Sequence, residues 1–412
     1  MKTVLLSVLM GCAMAGSLQA AEKPMLDRSE ANIVITNWWS PVREKLTEKQ
    51  VDLMVESGLN QLLFMSYTAE DGKRALGFAS KYPWVKAILW DERIFGISDT
   101  NPASFSNLDD VVRDYQSYSA FKGFVVRDEP PTGEYTRLGK IFSYTREHWP
   151  GVMPYVNLYP NYVNAPDVGA KTYADYIAKY IALRPPMVSY DHYPFPIGGT
   201  GDMWFANLEE VRSQCLAAGI PPWVIIQFSA FPGMRAVNEG ELRWCAFSAL
   251  AYGYKSICYF CYATPDSEFS GCAIEPDGSV NKERYALLKK VNADVSTLGH
   301  VLVTLTSRRV YHTDPVPKGT VGIPSDGLVR SFSGGQWVVG ELRGEHGQYV
   351  MLVNREFAKA QKATVHWAPE VTALYRVSSR DPALDPAGLK AGATTVSLAP
   401  GDAALFRIER AE

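Results

Sequence analysis

Histidine and cysteine are both scarce, at six each in 412 residues, and neither amount supports a metal or disulfide scaffold. Five of the cysteines, Cys215, Cys245, Cys258, Cys261 and Cys272, lie beyond the leader segment described below. An odd number does not complete a disulfide framework. Cys258 and Cys261 have metal-like spacing, but they sit in a β-branched and aromatic run. Residues three apart on a strand face opposite sides, so the two read as buried small hydrophobes. There is no dense run of Lys and Arg, and the net charge is −3. That leaves little to attract nucleic acid or an anionic membrane, and a neutral substrate is the expectation. No segment is long and apolar enough to span a bilayer.

The N-terminus reads as an export signal. Lys2 is the positive start, residues 4–10 are the apolar stretch, and Ala13-Met14-Ala15 or Leu18-Gln19-Ala20 offers a small-residue cleavage site. A signal peptide over residues 1–20 places the mature chain in the periplasm or outside the cell. Leu9-Met10-Gly11-Cys12 also resembles a lipobox, which would put a lipid anchor on Cys12, although Met10 is unusual there.

What the chain does have is a repeating alternation. Short continuous apolar runs fall at 33–37, 61–67, 85–90, 123–127, 153–158, 187–190, 223–228 and 256–262. Runs of this kind suit parallel strands covered on both faces. Between them lie amphipathic helices with recognisable starts: Thr47 with Gln50, Asn207 with Glu210, and Asn238 with Glu241. A last helix is predicted over 282–298. Eight strands, each followed by a helix, predict a (β/α)8 barrel over residues 30–299. A doubly wound sheet would need a Gly-rich turn after its first strand, and Asn37-Trp38-Trp39-Ser40-Pro41 is not one. Beyond residue 300, strand-like alternation at 337–342, 349–354, 363–367, 373–377 and 403–408 predicts a small β-sandwich packed on the barrel.

In such barrels the site lies at the C-terminal strand ends. Those ends supply Trp38 and Trp39, Tyr67, Trp90, the run Arg127-Asp128-Glu129-Pro130, Asn157 and Tyr159, Tyr190 to Tyr193, Gln227, and Tyr262. A rim of carboxylates, amides and aromatics suits a polyhydroxylated ligand, and no cofactor is implied. Trp38 and Trp39 are the stacking candidates, on the reasoning that adjacent tryptophans cannot both enter one core. Tyr159, Tyr190, Tyr193 and Tyr262 are placed to bond sugar hydroxyls or to pack behind the site. His192 reads as a rim residue with no metal-ligand partners at useful spacing.

Cleaving a glycosidic bond needs a protonated carboxylic acid and a second group at the oxocarbenium-like centre. Glu129 is the acid candidate, because the charge of Asp128 beside it raises its proton affinity. The strand-four tip resembles the Asn-Glu-Pro turn of the large glycosidase clan that includes the β-galactosidases, with Asp128 in place of asparagine. The stretches 241–260 and Leu398-Ala399-Pro400-Gly401-Asp402 are also similar to that clan. The resemblance implies that Glu129 is the acid/base. It departs from the clan at strand seven, where Ile226-Gln227-Phe228-Ser229 carries no nucleophilic glutamate.

Two repairs follow. Asp191, after strand six, supplies the second carboxylate. Alternatively Asp128 and Glu129 act together, as in barrel β-N-acetylhexosaminidases, where the substrate's own acetamido group attacks. The second repair needs strand four to end at Asp128, since neighbours on a strand alternate faces. The expected activity is hydrolysis of β-linked hexosides or N-acetylhexosaminides. A rival reading is a catalytically inactive barrel that binds glycans. A metal-dependent hydrolase would want several strand-end histidines, and only His192 falls at such a place.

Overall fold

The structure, a computed structural model, describes residues 32–377 and 386–411. The leader, its cleavage sites and Cys12 lie outside the described residues. Eight parallel strands form one sheet: β1 (Val34–Trp38), β2 (Gln61–Tyr67), β3 (Lys86–Asp91), β4 (Phe121–Asp128), β5 (Met153–Leu158), β6 (Val188–His192), β7 (Pro222–Gln227) and β8 (Ser256–Phe260). Around them run α1 (Glu48–Glu56), α2 (Ala69–Ala79), α3 (Glu92–Phe95), α4 (Ser106–Tyr115), α5 (Tyr135–His148), α6 (Tyr173–Ile181), α7 (Trp204–Ala218), α8 (Glu239–Ala251) and α9 (Lys282–Leu302). This is the expected (β/α)8 barrel. Among the described residues no helix is long and apolar enough to cross a membrane.

The sheet's hydrogen-bonded order runs β1-β8-β7-β6-β5-β4-β3-β2, so β1 and β2 meet at its two ends. Side-chain amides close that seam. Asn37 Nδ2 donates to the Leu63 carbonyl at 3.0 Å, and the Leu63 amide donates to Asn37 Oδ1 at 3.1 Å. Asn60 accepts from the Ile35 amide at 2.8 Å and donates to the Ile33 carbonyl at 2.9 Å. Each asparagine therefore stands in for a peptide group and satisfies backbone atoms that the ladder leaves unpaired.

Local starts match the sequence in part. Thr47 caps α1, and Asn238 with Glu241 forms a full capping box on α8. Asn207 does not start a helix. α7 begins at Trp204, and the buried Asn207 side chain instead bonds the Asn161 amide, Tyr173 and His192. Tertiary partners won over a local cap.

The C-terminal part is a β-sandwich, as expected. One sheet holds β10 (Val329–Phe332), β13 (Gln361–Trp367) and β16 (Ala393–Leu398). The other holds β9 (Thr306–His312), β11 (Trp337–Gly344), β12 (Gly347–Asn354), β14 (Val371–Arg376), β15 (Pro386–Ala387) and β17 (Ala403–Arg410). The outward face of this larger sheet, with Val338, Leu342, Met351, Val353 and Leu405, belongs to the same buried cluster as the barrel's helix layer. Contact is close enough that a Cβ on Gly340 would strike the Ala251 carbonyl, and one on Gly401 (φ +64°) the backbone of α8. Arg243 of α8 spans the joint, pairing with Glu239 (2.8 Å), Asp294 (2.6 Å) and Asp402 (3.3 Å).

Asn37→Ala is expected to destabilise the fold by about 3 kcal/mol, because it strands the buried amide and carbonyl of Leu63. Equilibrium urea denaturation measures this. A loss below about 1 kcal/mol would mean that other contacts hold the seam.

Candidate functional site

Three acids meet at the mouth of the barrel, and the local geometry of β4 brings two of them there. Pairing between β4 and β5 runs Val125 to Tyr155, then Arg127 to Val156 and Asp128 to Asn157, so one extra residue is inserted at Val126. Val125 faces the barrel interior, and strict alternation would have sent Arg127 inward after it. The bulge shifts the phase, so that Asp128 turns in and Arg127 turns out to pair with Glu134 at 2.9 Å.

β4 then ends at Asp128, which is the condition the paired-acid repair requires. Glu129 takes a left-handed backbone conformation with φ +47°. For a residue with a Cβ this costs on the order of 1–2 kcal/mol. The turn is pinned by the Glu129 amide bonding the Asn157 carbonyl at 2.8 Å and by the Tyr176 hydroxyl donating to the Pro130 carbonyl at 2.8 Å.

Asp191 arrives from β6, on the same inward face as Ser189, and is buried. Asn157 stands between the acids. Its Nδ2 donates to Asp128 Oδ1 at 3.1 Å and to Asp191 Oδ1 at 2.9 Å. The Glu129 and Asp191 carboxyls lie close enough to influence each other's protonation.

Electrostatics follow from this crowding. Burial, then the charge of Asp128, raises Glu129 from an ordinary 4.5 to about 7. Burial raises Asp128 from 3.8 to about 6, opposed by the Asn157 bond. Asp191 is pushed well above the carboxylate range by burial and then by Glu129 and Asp128. Glu129 and Asp191 therefore influence each other's protonation, and the pair titrates as a unit.

The expected binding residues divide sharply. Tyr159 and Tyr193 are half-buried beside the acids, whose charges raise both hydroxyl pKa values after burial itself. Trp90 lines the mouth half-buried, against Trp38 and Phe95. Trp38 departs from the stacking expectation: it is 4% exposed and fills the barrel beneath the mouth. Trp39 packs on the same cluster, because its φ of +63° swings the second ring back. Trp38 is thus the core member of the two, and Trp39 stays half-buried at its edge.

Four others are corrected. Tyr190 faces the helix layer and bonds the Tyr254 hydroxyl at 2.8 Å. His192 faces α7, where Nδ1 bonds Asn207 at 2.8 Å and burial lowers its pKa to about 4. Gln227 spends its amide on the Phe195 backbone and the Arg235 carbonyl, clipping two loops together. Tyr262 is buried against α1 and α9. The Tyr67 side chain lies outside the described residues.

Sequence reasoning missed Tyr162. It is 46% exposed, its ring meets His192 at 5.0 Å, and the charges of Asp191 and Glu129 reach it. It sits three residues past Tyr159 in a loop without periodicity, where only its aromatic character marked it.

The raised acids predict a pH-dependent stability. A folded-state pKa above the unfolded one gives stability that is complete below about pH 4 and is lost as pH climbs through 6 to 7. Glu129→Gln removes one such titration. Between pH 5 and 8 the wild type should lose on the order of 2 kcal/mol relative to that variant, read from urea midpoints. Parallel curves for the two proteins would show the Glu129 carboxyl to be solvated.

Comparison with known proteins adds the fold. No protein-family model matches the chain, and no curated sequence does. Among solved structures, an α-amylase from Anoxybacillus superposes with TM-score 0.54 at 12% identity, covering 93% of this chain and 99% of that one. A family 39 glycoside hydrolase from Bacteroides cellulosilyticus WH2 gives TM-score 0.54 at 12% identity, over 94% and 83%. A GH27 β-L-arabinopyranosidase from Geobacillus stearothermophilus gives 0.50 at 13%, over 93% and 98%. At such identities the likeness establishes architecture: the chain shares the barrel and closing β-domain on which these glycoside hydrolases are built.

Proposed function

We propose that the protein is an exported glycosidase acting on β-linked hexosides or N-acetylhexosaminides, with Glu129 as proton donor to the leaving oxygen. The observation that carries this reading is the meeting of Glu129, Asp128 and Asp191 from two strand tips at one mouth, Asn157 bonding both aspartates and burial raising Glu129 to about 7. A raised carboxylic acid is what general acid catalysis at this pH requires. Glycoside hydrolase neighbours of the same architecture support the class.

Asp191 is the second carboxylate in this reading, set against the anomeric carbon. Retaining enzymes separate their two acids by about 5–5.5 Å and inverting ones by about 6.5–9.5 Å, to admit a water. The stereochemical outcome of hydrolysis reads that separation directly. A second reading is favoured by the bulge at Val126, which turns Asp128 inward beside Glu129. There Asp128 would orient a substrate's 2-acetamido group and Glu129 would protonate the leaving group.

Aryl β-glycosides with and without a 2-acetamido group separate the two. Hydrolysis of plain galactosides or glucosides, abolished by Asp191→Asn, supports the first. Activity confined to N-acetylhexosaminides and lost in Asp128→Asn supports the second. In both, Glu129→Gln should lower kcat/KM by about 100-fold or more, and wild-type rates should fall as pH rises through about 7. Glycan binding without hydrolysis of any substrate would overturn the proposal in favour of a binding protein.

A further inference from the structure

Behind the acids lies a chain of polar groups inside the barrel. The Tyr155 hydroxyl meets Ser189 Oγ at 2.8 Å, and Ser189 Oγ donates to Asn157 Oδ1 at 3.4 Å. Asn157 Nδ2 then donates to both Asp128 and Asp191. Tyr155, Ser189 and Asn157 are 2%, 1% and 2% exposed, so no solvent competes for these bonds.

A side-chain amide can be turned end for end with little change in shape. Turned over, Asn157 would aim its carbonyl oxygen at two carboxylates and withdraw the one neutral donor that spans them. We propose that Ser189, backed by Tyr155, is a positioning residue that holds the Asn157 amide in the donating orientation and so fixes Asp128 and Asp191 as a spaced pair. This deepens the glycosidase reading and rests on it for its purpose, though not for its test.

The direction of the hydrogens is forced from the far end inward. Asn157 must donate to the carboxylates, so its oxygen must accept, and the serine hydroxyl supplies the hydrogen. Ser189 Oγ is then left to accept from Tyr155, whose hydroxyl stays protonated because burial raises its pKa. Hydrogen bonds aligned in one sense polarise one another, which strengthens the last pair at the carboxylates.

Among the described residues, Asn157 is the side chain that donates to both Asp128 and Asp191. Besides Glu129, the charges of the two acids reach Arg127, Cys258 and the tyrosines at 155, 159, 162, 173, 190 and 193. Arg127 is the one cation among them, and it is engaged by Glu134. Burial keeps the tyrosines and the cysteine in their neutral forms.

The test reads the acids without substrate, by carboxyl 13C titration of aspartate-labelled protein, with Asp128→Asn and Asp191→Asn identifying the signals. Asn157→Ala should raise the Asp128 midpoint by about one pH unit through loss of its donor. Ser189→Ala should raise it in the same direction, Tyr155→Phe by less, and Ser189→Thr, which keeps the hydroxyl, should restore the wild-type value. An unmoved midpoint in Ser189→Ala, with Asn157→Ala shifted, would overturn the proposal, as would an unmoved midpoint in Asn157→Ala. Should Ser189→Ala fail to fold, Tyr155→Phe with a wild-type midpoint overturns it, and a raised one sustains it. Shifted midpoints in a protein that hydrolyses no glycoside would leave this inference standing and remove the glycosidase reading alone.

Discussion

Two asparagine side chains supply most of the hydrogen bonds that close the barrel, helped by the Asn60 amide on the Ile35 carbonyl and the Met65 amide on Ser40. Strands β1 and β2 are the ends of the hydrogen-bonded order, and Asn37 and Asn60 supply the peptide-like groups that join them. An open sheet of eight twisted parallel strands would splay, and its end strands would expose unpaired backbone. Once the seam is zipped, the circumference is fixed. The tips of β4, β5 and β6 are then held as neighbours on the far side of the mouth. The carboxylate cluster inherits its spacing from that ring.

Within the cluster the governing constraint is electrostatic. Three acids crowded in a poorly solvated hole resist ionising together, and all three are raised above their ordinary values. Features that weaken a fold meet here: a left-handed glutamate, an inserted residue in β4, and a buried Asp191 beside half-buried Asp128 and Glu129. Other irregularities of the barrel, such as left-handed Trp39 and the register shifts between β2 and β3 and between β3 and β4, do not bring carboxylates together.

The sequence displayed the architecture clearly, because long apolar runs and capped helices are local signals. The run read at 61–67 is β2 to the residue, and the Asn238–Glu241 box does start α8. Facing was much less legible. A strand buried on both sides shows no alternation, so nothing distinguishes inward Asp191 from outward Tyr190 and His192 except three-dimensional context. The bulge at Val126 is equally silent, since its phase shift is written in pairing with β5. In the β-domain, β9 was missed because Arg308 and Arg309 interrupt its alternation, and β16 because its outward residues are small and polar. Asn207 looked like a helix start because nothing nearby announced its partners at Asn161, Tyr173 and His192.

The joint at α8 has a consequence for how such a protein can change. One flank of the larger C-terminal sheet completes the barrel's own core, and Arg243 carries ionic contacts to α9 and to Asp402. The start of the same helix holds Arg235 through Glu241, and the Arg235 carbonyl receives Gln227 at the tip of β7. The β-sandwich is therefore tied to a loop beside the mouth through this helix, and Phe357 adds a direct ring contact to Phe195. Swapping it for an unrelated module would disturb the rim, so the two parts are fitted to be inherited and to diverge together.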